Sequence, residues 1–123
     1  MMARSEVHAR RRAWRLGRRS EWLGACYLRL KGYRVLVRNL RLPGGELDLV
    51  VRRGRLLVFV EVKARVAGPD PAVITPRQRQ RIQRAAEAFL GRNPSLAGLD
   101  CRFDALLLAR GRWPVHIEDA WRP

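Results

Sequence analysis

For so basic a chain, this sequence of 123 residues contains very little lysine. Arginine supplies 24 of the 26 basic residues, and lysine stands only at positions 31 and 63. An ammonium is a compact charge whose pKa shifts readily, whereas a guanidinium is planar and permanently charged. Lys63 lies close to several acidic residues, which suggests a position that requires an ammonium. Lys31 has a simpler explanation, because it lies in the last turn of a predicted helix before Gly32.

Cysteine, histidine and long apolar runs are also scarce. Cys26, Cys101, His8 and His116 form no zinc-like spacing, and the two histidines lack partners at a useful spacing. Both cysteines are therefore predicted to be small core residues of a protein in a reducing compartment. No run approaches the roughly 20 apolar residues of a membrane span. The N-terminus lacks the apolar segment of a signal peptide, although its arginines fit a transit peptide as well as a basic arm. Together these absences favour a cytoplasmic protein.

Positive charge dominates the composition. The formal net charge is +15, with 11 acidic residues, while hydrophobic residues make up 47% of the chain. The hydrophobic content predicts a folded protein, with residues 1–16 as a basic N-terminal arm and residues 17–123 as a single domain. So large a positive charge indicates a partner that carries phosphate, above all nucleic acid. A solubility bias or an acidic protein partner are the alternatives.

The hydrophobic pattern predicts the element order α-β-β-β-α-β-β. The predicted strands are YRVLVRN, ELDLVV, LLVFVEVKA, CRFDALLLAR and PVHIEDAW. Three consecutive strands followed by a helical crossover to a fourth indicate an α/β fold with a mixed central sheet flanked by helices.

Two helices are predicted to flank the sheet. The first covers about residues 18–31, and its apolar stripe at helical spacing is Leu23, Cys26, Tyr27 and Leu30. The second begins after Thr75, which is a favourable N-cap, with Pro76 in the first helical position and Gln78 completing a capping box.

Four charged residues interrupt the hairpin that should form the centre of the sheet: Glu46, Asp48, Glu61 and Lys63. Strand side chains alternate between faces, so Glu61 and Lys63 share one face, as do Glu46 and Asp48. A turn near residues 53 and 54 would place Asp48 opposite about Val60, with Glu46 near Glu61. In that register Asp48, Glu61 and Lys63 converge at the end of a buried sheet.

Two buried carboxylates repel each other unless a cation lies between them. Mg²⁺ prefers carboxylate and carbonyl oxygens, so Asp48, Glu61 and the main-chain carbonyl of Val62 are candidate metal ligands. Lys63 could orient a water molecule or stabilise charge on a phosphoryl oxygen. The alternative is a solvated cross-strand ion pair that contributes about 0.5 kcal/mol.

These segments resemble a known family. GGELDLVV followed by LLVFVEVKAR resembles the PD-(D/E)XK nuclease signature, with Asp48 as the first acid and Glu61-Val62-Lys63 as E-x-K. The same segments, with GRRSEWLGACYLRLKGYRVLVRNLR and RFDALLL, resemble the YraN-type bacterial family from about residue 17 to residue 119. The resemblance implies a restriction-endonuclease-like fold related to archaeal Holliday junction resolvases. It also implies Mg²⁺ or Mn²⁺ at Asp48 and Glu61, with Lys63 catalytic.

Further residues are candidates for the same chemistry. A helical Glu assists the metal in related resolvases, and Glu21 is the candidate here, although it points away from the predicted apolar stripe. The helix after the E-x-K strand has Arg77 and Gln78 where the family usually has a Lys-Gln pair. Arg77, Gln78, Arg81 and Arg84 are candidate nucleic-acid contacts, and a merely solvated helix face is the alternative.

The leading hypothesis is a metal-dependent endonuclease that hydrolyses DNA phosphodiesters, including those of branched or junction DNA. A homodimer would suit symmetric cutting of two strands. A second hypothesis is a nucleic-acid-binding module that retains the nuclease fold but does not cut, and a third is an adaptor for an acidic protein. Asp104 is predicted to pair with a neighbouring arginine and to lie outside the metal site.

Overall fold

The structure is a computed structural model and describes residues 20–65 and 74–123. The predicted basic arm, residues 1–16, and residues 66–73 of the predicted loop lie outside the described residues. Helix α1 is described over residues 20–30. The strands are β1 (Arg34–Leu42), β2 (Gly45–Arg53), β3 (Leu56–Arg65), β4 (Asp100–Ala109) and β5 (Val115–Trp121), and helix α2 (Pro76–Arg92) precedes β4. This is the predicted order of elements.

The five strands form one mixed sheet in the order β1-β2-β3-β4-β5. Strands β1, β2 and β3 are joined by short turns and pair antiparallel, as short connections require. The connection from β3 to β4 passes through α2, and these two strands pair in parallel. Strand β5 returns antiparallel along β4 and leaves the ladder irregular between Phe103 and Ala105. The predicted α/β class and mixed sheet are confirmed.

The turn between β2 and β3 sets the register of the sheet. Arg53 pairs with Leu56, so the turn consists of Gly54 and Arg55, and Gly54 has a φ of 62°. Two-residue hairpin turns require such a left-handed φ, which glycine adopts without steric cost. The turn therefore lies one residue later than predicted. The last pair in the register is Leu49 with Val60, so the predicted position of Asp48 opposite Val60 is wrong, and Asp48 lies level with Glu61.

Each face of the sheet carries its own hydrophobic core. Leu57 and Phe59 of β3 pack in the core beneath α2, whereas Val58 and Val60 pack in the core that includes α1. The two faces are called the α2 face and the α1 face below. Because side chains alternate along a strand, Glu61 and Lys63 project on the α2 face together with Phe59.

Helix α2 begins with the predicted capping box. The Thr75 side chain accepts a hydrogen bond from the Gln78 backbone N–H at 3.2 Å, and the Gln78 side chain accepts one from the Thr75 N–H at 3.0 Å. Pro76 occupies the first turn of the helix. The buried side of the helix is formed by Ile82, Ala85, Ala86 and Phe89.

The predicted apolar stripe of α1 is wrong. Leu23 and Leu30 are exposed, whereas Ala25 and Leu28 are fully buried. The cause is the small size of Gly24, since a Cβ atom there would lie 3.0 Å from Leu106 Cδ2. Small residues let the helix approach the sheet closely, and the larger apolar residues consequently face outward.

The cysteines also differ from expectation. Cys26 is half-buried and Cys101 is exposed, so Cys101 is not a core residue. Neither forms a disulfide. Across residues 20–65 and 74–123, no helix is both long and apolar enough to cross a bilayer.

Candidate active site

Asp48 and Glu61 lie beside each other on adjacent strands at the end of the sheet where β2 begins and β3 ends. Asp48 Oδ2 accepts a hydrogen bond of 2.9 Å from the backbone N–H of Val62. That bond fixes the Asp48 carboxylate against β3 just beyond the last paired residues. The Val62 side chain packs in the opposite core, on the α1 face.

Lys63 is the positive charge that the hairpin places closest to this pair. Its Nζ lies 3.7 Å from Glu61 Oε1, and the side chains of Lys63 and Glu61 are 25% and 16% exposed. Glu46, predicted on the same face as Asp48, is instead engaged by Arg41, whose Nε lies 2.8 Å from its Oε1. The structure therefore brings together Asp48, Glu61 and Lys63, with Glu46 at the rim.

Burial and mutual repulsion hold protons on this carboxylate pair. Burial, followed by the negative charge of Asp48, raises the pKa of Glu61 to about 8, and the attraction of Lys63 only partly opposes this. Burial also raises the pKa of Asp48, despite the Val62 hydrogen bond, which lowers it. Lys63 alone does not offset the charge that two ionised carboxylates would carry, so at neutral pH Glu61 retains its proton. Two carboxylates in this state have capacity for a further cation.

An open cleft of about 380 Å³ lies over the pair on the α2 face. Its lining residues are Gly44, Gly45, Glu46, Asp48, Glu61, Gln78, Arg81 and Ile82. One wall is the hairpin and the other is the first half of α2, so the carboxylates and the arginine-rich helix face the same space.

The contact between the β1–β2 turn and α2 shapes the cleft, and no sequence pattern predicted it. A Cβ atom on Gly45 would lie 2.6 Å from the Arg81 carbonyl oxygen, and one on Gly44 would lie 3.1 Å from Arg84 Cβ. Gly44 also has a φ of 93°. Only glycines allow the turn to lie directly on the helix, which brings Arg81 beside the strand that carries Asp48.

The predicted nucleic-acid contacts all lie on α2, at different distances from the carboxylates. Gln78 and Arg81 line the cleft, and Arg84 packs against the β1–β2 turn. Arg77 is exposed in the first turn. Gln78 is engaged in the capping box, so its side-chain oxygen is already bonded to the Thr75 N–H.

Glu21 lies on the buried side of α1, not on the side away from the core as the predicted stripe implied. It precedes by one turn Gly24, which packs on Leu49 and Val62, the neighbours of Asp48 and Glu61. Glu21 Oε2 is shielded from solvent. Helix α1 contributes no residue to the cleft lining, and the role of Glu21 in metal binding stays a prediction.

The donor set fits a cation that keeps much of its water. Within the described residues, no group of three His, Cys, Asp or Glu side chains could hold a metal ion. Asp48 and Glu61 supply two carboxylates, and the Val62 carbonyl lies on the same strand edge as its N–H, toward Asp48. Mg²⁺ is commonly bound by one or two carboxylates with several waters, so these residues fit Mg²⁺ or Mn²⁺ better than zinc.

A second buried carboxylate, Asp104, lies on the α1 face. Arg102 donates to both of its oxygens at 2.7 Å, His116 Nε2 lies 2.7 Å from Oδ2, and the Asp119 N–H donates to Oδ1 at 3.0 Å. The predicted pairing with an arginine is confirmed. The expectation that His116 lacks a partner is wrong, because its Nδ1 also lies 2.6 Å from Lys31 Nζ. Alternation in β4 could have identified Arg102 as the partner of Asp104, but the sequence gives no signal for the 12-residue separation from His116.

The fold and the site define an α/β protein whose mixed sheet carries two carboxylates and a lysine at the end of its central hairpin. The chain belongs to the family described as Uncharacterised protein family UPF0102, whose profile matches residues 20–108. A UPF0102 protein of Parvibaculum lavamentivorans is 57% identical over 112 residues, covering 90% of this chain and 84% of the relative. One of Paramagnetospirillum magneticum is 52% identical over 120 residues, covering 93% and 92%. The predicted YraN-type membership is thereby confirmed.

Proposed function

We propose that this protein is a metal-dependent endonuclease of the PD-(D/E)XK type that hydrolyses DNA phosphodiesters. The observation that carries the proposal is the Asp48–Glu61 pair, which is half-buried, incompletely neutralised by Lys63, and open to a cleft lined by arginine. A purely structural pair would be stabilised by a complete set of hydrogen bonds, as Asp104 is.

Asp48 and Glu61 would hold Mg²⁺ or Mn²⁺, with the Val62 carbonyl as a further ligand. When bound, such an ion would supply Lewis-acid stabilisation of phosphate charge and lower the pKa of a coordinated water. The backbone N–H of Val62 orients the Asp48 carboxylate for this task by its 2.9 Å hydrogen bond. Glu61 would release its proton as the cation binds, since opposite charge lowers the pKa of a carboxyl.

Lys63 would donate a hydrogen bond to a non-bridging phosphate oxygen or orient the attacking water. Its ammonium lies on the face of the carboxylates, and its 3.7 Å separation from Glu61 leaves its donors available for a substrate. In the reaction a water oxygen forms a bond to phosphorus and loses one proton to solvent, while one ester P–O bond breaks. The leaving oxygen takes a proton from solvent.

Arg81 and Arg77 would hold the nucleic-acid backbone over the carboxylates, since guanidinium groups bind phosphate oxygens in a bidentate manner. Arg81 lines the cleft and is exposed at its rim. The net charge of +15 would strengthen the encounter with any polyanion. A homodimer would cut both strands of a duplex symmetrically.

Cleavage of labelled duplex, single-stranded and four-way-junction DNA with Mg²⁺, Mn²⁺ or chelator tests the proposal. We expect metal-dependent cutting by the native protein, none by Glu61→Gln, and strongly reduced cutting by Lys63→Arg. Glu87→Gln is the matched control, because Glu87 is an exposed acid of α2 outside the cleft lining.

The outcomes separate the hypotheses. Cutting that persists in Glu61→Gln would assign the activity to another site or to a contaminant. Tight binding without cutting under either metal would favour the second candidate, a nucleic-acid-binding module, which the basic cleft also supports. The same substrates made of RNA test the choice of DNA.

A further inference from the structure

Four cations surround the end of the sheet opposite the candidate site: Lys31, Arg34, Arg52 and Arg53, called here the tip cluster. Arg34 and Arg52 project on the α2 face, the face of the cleft, whereas Arg53 and Lys31 lie on the α1 face beside Tyr33 and His116. Arg34 and Arg52 are direct cross-strand partners in the β1–β2 pairing, so two guanidinium groups project from facing positions. Among the described residues, no carboxylate forms an ion pair with any member of the cluster. The tip cluster therefore carries positive charge that no carboxylate of the described residues contacts directly.

This arrangement has a cost for the isolated protein. Like charges directly opposite each other on paired strands destabilise a sheet. Elsewhere the chain does provide acidic partners, since Arg41, Arg102 and Arg122 each lie 2.7–2.8 Å from a carboxylate oxygen. Among the paired positions of the described strands, Arg34 and Arg52 are the pair with like charges directly opposite, whereas the same β1–β2 ladder places Arg41 opposite Glu46. A bound anion would remove this repulsion.

Contacts other than ion pairs hold the tip cluster in place. The Arg53 guanidinium lies 4.4 Å over the Tyr33 ring, and Arg52 Nε donates to the Gly54 carbonyl oxygen at 2.9 Å. Lys31 Nζ is fixed 2.6 Å from His116 Nδ1. Contacts of this kind restrict the side chains without cancelling their charges. Cations fixed in advance lose little conformational entropy when an anion binds.

We propose that the tip cluster is a second phosphate-contacting surface for nucleic acid, distinct from the arginines of α2. Asp48 and Arg52 are four positions apart along β2, about 14 Å at the rise of a strand. That length corresponds to about four base pairs along a duplex axis. A single duplex arm can therefore reach from the cleft to the tip cluster. This inference rests on the nucleic-acid substrate of the proposed function but not on cleavage.

The salt dependence of DNA binding tests the proposal. Anisotropy of a labelled duplex of about 30 base pairs is measured with the full chain in chelator, from about 50 to 250 mM NaCl. Arg52→Gln with Arg53→Gln should reduce the slope of log K against log salt by about 2, and should weaken binding at least about tenfold. Arg110→Gln with Arg112→Gln removes the same charge from exposed positions between β4 and β5 and should change the slope by less than about 0.5.

Arg34→Gln gives a readout that a structural role would not. Removal of one member of the like-charged pair should weaken DNA binding severalfold while raising the melting temperature by about 1–3 °C. A loss of both binding and stability would mean that Arg34 supports the fold, and would contradict the proposal.

The remaining outcomes are equally decisive. Equal slope changes in the two double variants would show that net charge alone governs binding, and would overturn the proposal. Polyglutamate serves as a probe for an acidic protein partner. If Arg52→Gln with Arg53→Gln left the DNA slope unchanged but lost binding to polyglutamate, the surface would serve an acidic protein, and the proposal would be overturned. Failure to cut DNA would defeat the proposed endonuclease and leave this binding test unaffected.

Discussion

Both faces of the sheet carry carboxylates that are withdrawn from solvent, but the groups around them have opposite effects on their pKa values. On the α1 face, Asp104 is fully buried, and Arg102, His116 and a backbone N–H donate to it. Although burial raises the pKa of Asp104, the hydrogen bonds from His116 and Arg102 outweigh it and lower the pKa overall. On the α2 face, the pKa of Glu61 is raised to about 8 beside Asp48. Asp104 has all of its partners within the protein, whereas the Asp48–Glu61 pair has capacity for a cation from solution.

The comparison distinguishes an acid that stabilises the fold from the pair for which we propose metal binding. Asp104 satisfies the expectation that a buried charge is paired and hydrogen-bonded, so its environment is explained by the fold alone. The environment of Glu61 is costly for the isolated protein, and the cation that we propose there would make it favourable. Strongly perturbed carboxyl groups in a cleft are typical of functional sites.

The largest expected effect is a loss of cutting when the Asp48–Glu61 pair is changed. Glu61→Gln should reduce metal-dependent cutting by about 10³-fold or more, because it removes a metal ligand. The same change should leave the metal-free protein as stable as the native one or more stable, since it removes a buried carboxylate. Cleavage assays and urea unfolding on the same samples check both parts. A variant that lost stability together with activity would contradict this division of roles.

Asp104→Asn should have the reverse effect of Glu61→Gln, with a large loss of stability. Asp104→Asn should lower the free energy of unfolding by about 3–5 kcal/mol, because Arg102 and His116 lose the charge that they contact. Denaturant titration measures the loss. Asp119→Asn is the matched control: it removes an exposed partner of Arg122 and should cost less than about 1 kcal/mol. Equal losses in the two variants would show that burial of Asp104 is not the cause.

The two faces should also respond oppositely to pH. The pKa of Glu61 is raised from 4.5 to about 8, so between these values the folded state binds more protons than the unfolded state. The stability of the metal-free protein should therefore fall as pH rises from about 5 to 8, by about 1–3 kcal/mol. Asp104, whose pKa is lowered from 3.8, stabilises the fold at neutral pH and loses that contribution only in acid.

Urea unfolding in chelator at several pH values checks this contrast. Glu61→Gln should reduce the fall in the free energy of unfolding between pH 5 and 8 and leave the loss of stability at acid pH unchanged. Parallel profiles for the native protein and Glu61→Gln would mean that Glu61 does not bind the excess proton.

A smaller effect should accompany metal binding. Because Glu61 retains its proton near neutral pH, binding of Mg²⁺ or Mn²⁺ should release about one proton at pH 7. Calorimetry in buffers of different ionisation enthalpy counts the protons. Release should disappear in Glu61→Gln and persist in Asp104→Glu. Binding without proton release in the native protein would place the metal away from Glu61.

The sequence predicted the element order, the capping box at Thr75 and the partnership of Asp48, Glu61 and Lys63, because these depend on local periodicity and spacing. It placed the hairpin turn one residue early, since a glycine fits either position of a two-residue turn. It predicted the wrong face of α1, because bulky apolar side chains usually mark the buried face, whereas here the small Gly24 lies against the sheet. The contacts of His116 with Asp104 and Lys31 join distant segments that no local pattern connects.

The parallel pairing of β3 with β4 has a consequence for the order of folding. The hairpin that carries Asp48 and Glu61 closes over a two-residue turn. The network around Asp104 instead extends through His116 to Lys31, 85 residues away along the chain. Short-range contacts form before long-range ones, so we expect the Asp104 network to form after the rate-limiting barrier. Asp104→Asn should then accelerate unfolding and leave the refolding rate nearly unchanged in stopped-flow experiments. In that case the Asp104 network on the α1 face slows unfolding of the whole domain. It would thereby determine how long the cleft on the α2 face persists.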